Sequence, residues 1–259
     1  MIFLRLLLVV LLACPFAASA QEKVRKSDVV RLLQKLQTEQ NNPQALRAAG
    51  FEGEKLKLML DHGTKLANNQ TILGHMADQL INARNAPTQT NPVGGLLAPL
   101  LDRGMPYMPV SEQIYHMKVE LTVMQAMSTA NCGRSVKDTI APEVFGRALV
   151  QTMARLNAPA LKEYLRIVRK ASTLGVSRPN PPRIADAKRE KVLEGFASAL
   201  EVTAAGKGLS RAYARSDTDM RGLSNREACG LGLLFIETII DTKGPNQKPL
   251  LQLFWRDFQ

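Results

Sequence analysis

The chain has 259 residues, 45% of them hydrophobic, and its 34 lysines and arginines outnumber 23 acidic residues to give a net charge of +11. That is length enough for one or two domains with a real core, and the charge bears on partners and solubility rather than on fold. Three scattered cysteines exclude the close ligand pairs of a structural zinc site.

Residues 1–20 have the parts of a secretory signal peptide. Arg5 is a minimal basic region, and Leu6 to Ala13 is an apolar run too short to span a bilayer. Ala18-Ser19-Ala20 is a small-residue cleavage site that makes Gln21 the first mature residue. Leu11-Leu12-Ala13-Cys14 has the outline of a lipoprotein box, but the leucine two residues before Cys14 is bulkier than that motif favours. Cleavage after Ala20 accounts for the segment better than lipid anchoring at Cys14, so the expected location is periplasmic or secreted. Arg5 leaves with the leader, and the mature 239 residues carry +10. No later apolar run reaches membrane-spanning length, so no transmembrane segment is expected in the mature chain. In an exported protein this charge points away from nucleic acid and toward an acidic protein or an anionic envelope component.

The pattern is helical nearly throughout. Ser27 is placed to cap a helix with Val29, Leu32, Leu33 and Leu36 on one stripe. Asn42-Pro43 opens a short helix that Gly50 closes. Two more helices are expected from about 53 to 66 and from about 70 to 84. Residues 85–110 break the rhythm with Asn85-Ala-Pro and Asn-Pro-Val-Gly-Gly95. Leu96 to Leu101 reads as a short apolar helix interrupted by Pro99, and Gly104 to Pro109 returns to loop. The bland reading of 85–110 is a surface connector, and a functional loop is the alternative.

Ser111 to Met127 is a strong helix with Ile114, Met117, Leu121 and Met124 spaced for one face. Cys132 is expected just after its end. Pro142-Glu143 opens the next helix, and Asn157 caps another that runs to Leu174 with Gly175 as its stop. Arg178-Pro-Asn-Pro-Pro182 is stiff and extended. The expected organisation is therefore an N-terminal helical region at 21–175, a Pro-rich connector at 176–183, and a C-terminal helical region at 184–259 that packs on the first. In the last region a long helix runs from Ile184 to Ala205. Ser224-Asn-Arg-Glu227 is a capping box that opens another, and Pro249 to Trp255 forms a short helix or packed tail. The fold class is all-α, an irregular multi-helix bundle of about eight to ten helices after the signal peptide.

Four sets of side chains carry candidate chemistry. Cys132 and Cys229 survive processing in a compartment where disulfides persist, and one pairing is available to them. Closing that loop stabilises by about 4–5 kcal/mol in the chain-entropy picture. The alternative is a reactive Cys229 thiolate near a helix start. A run of methionines with His116, Met117, Met124 and Met127 offers soft ligands of the kind that suit Cu(I). Met117 and Met124 also fit the apolar stripe as core, and His116 and Met127 lie about 16 Å apart along a helix. No cofactor is expected.

The third set is basic. Lys162, Arg166, Arg169 and Lys170 share one helix side, and Arg183, Lys188 and Arg189 follow. Between 162 and 191, nine cations stand against three carboxylates. This is either an ordinary solvated face or a docking surface weakened by salt. The fourth set comprises Glu112, Glu120, Glu143 and Glu163, any of which could serve an envelope glycan hydrolase that uses a helical acid. None sits in a pattern that marks an acid catalyst. The leading expectation is a binding or accessory protein of the bacterial cell envelope, acting by docking rather than catalysis.

Overall fold

The computed structural model describes residues 24–84, 97–178, 180 and 183–257. The signal peptide, Cys14 and the first half of the 85–110 segment lie outside them. Thirteen α-helices, and no strands, make up the described residues. They are α1 (Lys26–Gln40), α2 (Pro43–Ala48), α3 (Gly53–Ala67), α4 (Gln70–Arg84), α5 (Ala98–Gly104), α6 (Val110–Ala126) and α7 (Thr129–Val136). The remainder are α8 (Pro142–Arg155), α9 (Ala158–Ser177), α10 (Asp186–Gly206), α11 (Ser210–Asp219), α12 (Asn225–Asp241) and α13 (Gln247–Asp257). None is long and apolar enough to cross a membrane.

The all-helical class stands, but the expected eight to ten helices are too few. Short elements account for the excess. Cys132 does not follow a helix; it lies inside α7, where the Ser128 hydroxyl accepts from the Asn131 amide. α11 occupies residues for which no helix was expected. α1 begins at Lys26 without a side-chain cap, so Ser27 does not cap it. Three expected caps are present. Asn42 accepts from the Gln44 amide, Asn157 accepts from the Ala160 amide, and Ser224 and Glu227 exchange both bonds of the capping box.

The largest departure is at 97–107. Pro99 does not interrupt a helix but sits in the first turn of α5, where its missing N–H costs nothing. A 3-10 turn at Met105–Tyr107 follows directly. Leu100, Gly104, Met105 and Pro106 are buried, so this part of the expected connector is core. α5 crosses α9 backbone to backbone. A β-carbon on Gly104 would fall 1.7 Å from the Ala171 carbonyl oxygen, and one on Gly175 would fall 1.9 Å from that of Leu100. Gly175 therefore does not stop α9. It lies within the helix because α5 needs the space.

α9 is the hub. It gives Ile167 and Ala171 to a core shared with α6, α10, α12 and α13, and Leu161, Tyr164, Leu165 and Val168 to a second core with Phe51, Leu56 and Met153. α6 is likewise buried on more than the one expected face, since Gln113, His116, Met117, Val119, Val123 and Met124 are all covered. α8 packs on one side of it while α9, α12 and α13 pack on others. α7 and α12 form a second close crossing. Gly133 faces the Asn225 backbone, and Gly232 faces Val136.

Candidate functional site

The cations of α9 are anchored from beneath. Arg166 donates to Glu163 and to Glu112, each at 2.6 Å, and Lys170 reaches Glu112 at 3.1 Å. Glu112 comes from the first turn of α6, 54 residues before Arg166. Two acids and two bases make this network neutral. The guanidinium hydrogen bond holds the Glu163 carboxyl below its ordinary range, and Arg166 is held above its own by the same bond and by that to Glu112. Arg169 turns inward and donates to His62 Nδ1 at 2.8 Å, which places that ring's proton on Nε2. Burial, and then Arg169, push His62 down to about 4.

What remains of the basic set is spread from the start of α9 to the α9–α10 junction. Lys162, Lys170, Arg183 and Lys188 are exposed, and Arg166, Arg169 and Arg189 are half-buried. Arg178 lies over the Tyr107 ring at 5.5 Å, and the Tyr107 hydroxyl donates to the Asn180 carbonyl, fixing the start of the junction against the 3-10 turn.

A second grouping lies inside the molecule. His116 and Glu120 are one turn apart on α6, with Nδ1 and Oε1 3.5 Å from each other. The His116 ring is wedged between two aromatic side chains. It stacks on Tyr164 of α9, with centroids at 5.4 Å, and meets the edge of Trp255 of α13 at 5.6 Å. His116 is 1% exposed and Trp255 3%. Neither ring nitrogen of His116, nor Nε1 of Trp255, finds a hydrogen-bond partner among the described residues. Unpaired buried polar atoms are uncommon and call for a physical reason.

Burial shifts each ionisable group in this layer toward its neutral form. Burial, and then the neighbouring Asp102 of α5, push the Glu120 carboxyl up to about 8, although 29% of its side chain still reaches solvent. Burial lifts Asp102 to about 6 and lowers His116 to about 4. It also raises the Tyr164 phenol, with Glu120 adding to the effect. At neutral pH, Glu120 thus holds its proton and His116 lacks one. The arrangement can store, give up or relay a proton where ordinary carboxyls are ionised.

The other expected residues separate from this layer. The Cys132 and Cys229 sulfurs lie 1.98 Å apart, at disulfide distance, and join α7 to α12. Met117 and Met124 are core, and Met127 lines an open cleft of about 230 Å³ with Ser128, Asn131, Val144, Arg147 and Gln151. Among the described residues, no carboxylate lines that cleft. Among the described residues, no three histidine, cysteine or acidic side chains are grouped to hold a metal. Glu143 stands in the first turn of α8, where the helix dipole favours an acid. Asp102, Tyr164 and Trp255 escape sequence reasoning because they come from three other helices. The available signal was the His116–Glu120 pair, one turn apart in an otherwise apolar helix. Compared with known families, curated proteins and solved structures, the chain matches none of them.

Proposed function

We propose that the chain is an exported helical binding protein of the bacterial cell envelope that docks an acidic partner through the α9–α10 junction. One observation carries this reading. Once Glu112 and Glu163 neutralise Arg166 and Lys170, the cations of residues 162–191 that stand outside that network include Lys162, Arg169, Arg178, Arg183, Lys188 and Lys191. Against them stand Asp186 and Glu190, so the unneutralised charge concentrates past the end of α9. Arg178, Arg183, Lys188 and Lys191 are exposed there.

Immobilised polyglutamate serves as the acidic probe. Retention is expected to fall with salt, and to fall much further in the triple variant Arg183→Glu, Lys188→Glu, Lys191→Glu than in Arg166→Gln. Equal retention of the triple variant and wild type would sink this reading. The envelope-hydrolase reading rests on Glu120, whose carboxyl burial pushes up to about 8, toward the protonated form that a general acid needs. Its test is release of soluble fragments from purified peptidoglycan by the wild type and not by Glu120→Gln.

A further inference from the structure

We propose that the open cleft between α8 and the α6–α7 turn binds the free carboxyl end of a peptide whose last side chain is small and apolar. The cleft has a volume of about 230 Å³. That is below the roughly 300 Å³ at which pockets begin to hold a drug-sized ligand, so it suits one residue whose preceding chain leaves through the open side. Two walls meet there. Val144, Arg147, Ala148 and Gln151 recur at helical spacing and give one face of α8. Met127, Ser128 and Asn131 come from the end of α6 and the first turn of α7. Asn131 stands beside Cys132, which is joined to Cys229, so this wall is held against α12.

The polar groups of the cleft are unspent. Among the described residues, the Arg147, Gln151 and Asn131 side chains have no hydrogen-bond or ion-pair partner. Glu143, one turn before Arg147 on α8, does not pair with it. The Ser128 hydroxyl accepts from the Asn131 amide at 3.3 Å and keeps its own proton to donate. A guanidinium, two carboxamides and a hydroxyl therefore offer donors around a space that no described acid lines. A carboxylate meets that set best, because the guanidinium fork matches its two oxygens and the bond is charge-assisted. The carboxamide oxygens of Gln151 and Asn131 can accept from the last peptide N–H. Met127, Val144 and Ala148 form the apolar part of the lining. A chain-terminal residue carries a carboxylate, an N–H and a side chain on one carbon, which is what a space of this size can address.

The probe is N-acetyl-alanyl-alanine with a free carboxyl end, titrated into the mature chain and followed by the NMR shifts of the Gln151 and Asn131 side-chain amides. Those shifts are expected to saturate. The same peptide with an amidated end should bind about tenfold more weakly or worse, and so should the free peptide to Arg147→Gln. Ala148→Phe, which fills the cleft, should abolish the shifts while the rest of its spectrum stays that of the folded protein. N-acetylglutamic acid α-amide, whose one carboxylate is on its side chain, should also bind about tenfold more weakly. The triple variant Arg183→Glu, Lys188→Glu, Lys191→Glu should bind the free peptide as wild type does, so this cleft and the α9–α10 surface are read separately. No saturable shift with the free peptide overturns the proposal. Equal binding of the amidated peptide, or unchanged binding by Arg147→Gln, does the same. Tighter binding of the glutamyl probe overturns the assignment to a chain end, and loss of binding in the triple variant overturns the assignment to the cleft.

Discussion

Helix α6 carries two glutamates two turns apart, and the protein treats them in opposite ways. Glu112, in the first turn, meets Arg166 and Lys170 and joins Glu163 in a network whose charges cancel. Glu120 forms no ion pair with a lysine or arginine among the described residues. The His116 imidazole and the Asp102 carboxyl bear on it, and burial keeps its proton on. The two carboxyls differ in their surroundings: Glu112 has two cations against it, while burial, and then Asp102, act on Glu120. Glu112 is the more covered of the two, at 15% exposure against 29%, yet it has the cations. A paired carboxylate positions the helices that hold it. An unpaired, protonated one is free to answer to pH.

The largest break in this comparison should come from Trp255→Ala. Removing the ring that meets His116 edge-on is expected to cost about 3–5 kcal/mol, as for other buried aromatic truncations, measured by urea unfolding. A smaller effect should appear in the pH dependence of the intact protein. Glu120 has a folded value above its unfolded one, so the native state holds a proton that the unfolded chain gives up. Its contribution to stability therefore falls as pH climbs from about 4.5 to about 8. Asp102 acts in the same direction but is spent by about 6. His62 and His116 have lowered folded values and act oppositely, costing stability as pH falls from 6.5 toward about 4. Between pH 6.5 and 8, Glu120 dominates. Wild type should lose roughly 2 kcal/mol across that window, and Glu120→Gln should stay flat. The smallest effect belongs to the surface network. Glu163→Gln should cost under about 1 kcal/mol and be silent in high salt, because Glu163 is 40% exposed.

Some of this was legible in the residues themselves and some was not. The helical class, the Ser224 capping box and the Asn157 cap follow from local spacing, and local spacing is what builds them. Gly175 misled because its reason lies in another helix: the Leu100 carbonyl needs the space a side chain would take. Pro99 misled because proline breaks a helix interior but begins a helix well. The basic stripe could be counted along the chain, but its neutralisation by Glu112 depends on a contact 54 residues away. Glu120 and His116 were visible as a spaced pair. The Trp255 edge on His116 and the Asp102 neighbour of Glu120 come from the C-terminal tail and from a segment read as connector.

The most direct measurement is a carboxyl-carbon NMR titration of the wild-type protein with its glutamates labelled. Glu120 is predicted to titrate alone near pH 8, well above the ordinary glutamate value of 4.5, and to be protonated at pH 7. A Glu120 signal that moves with the surface glutamates near 4.5 would contradict the account, because the His116 layer would then hold an ion that its surroundings are built to refuse.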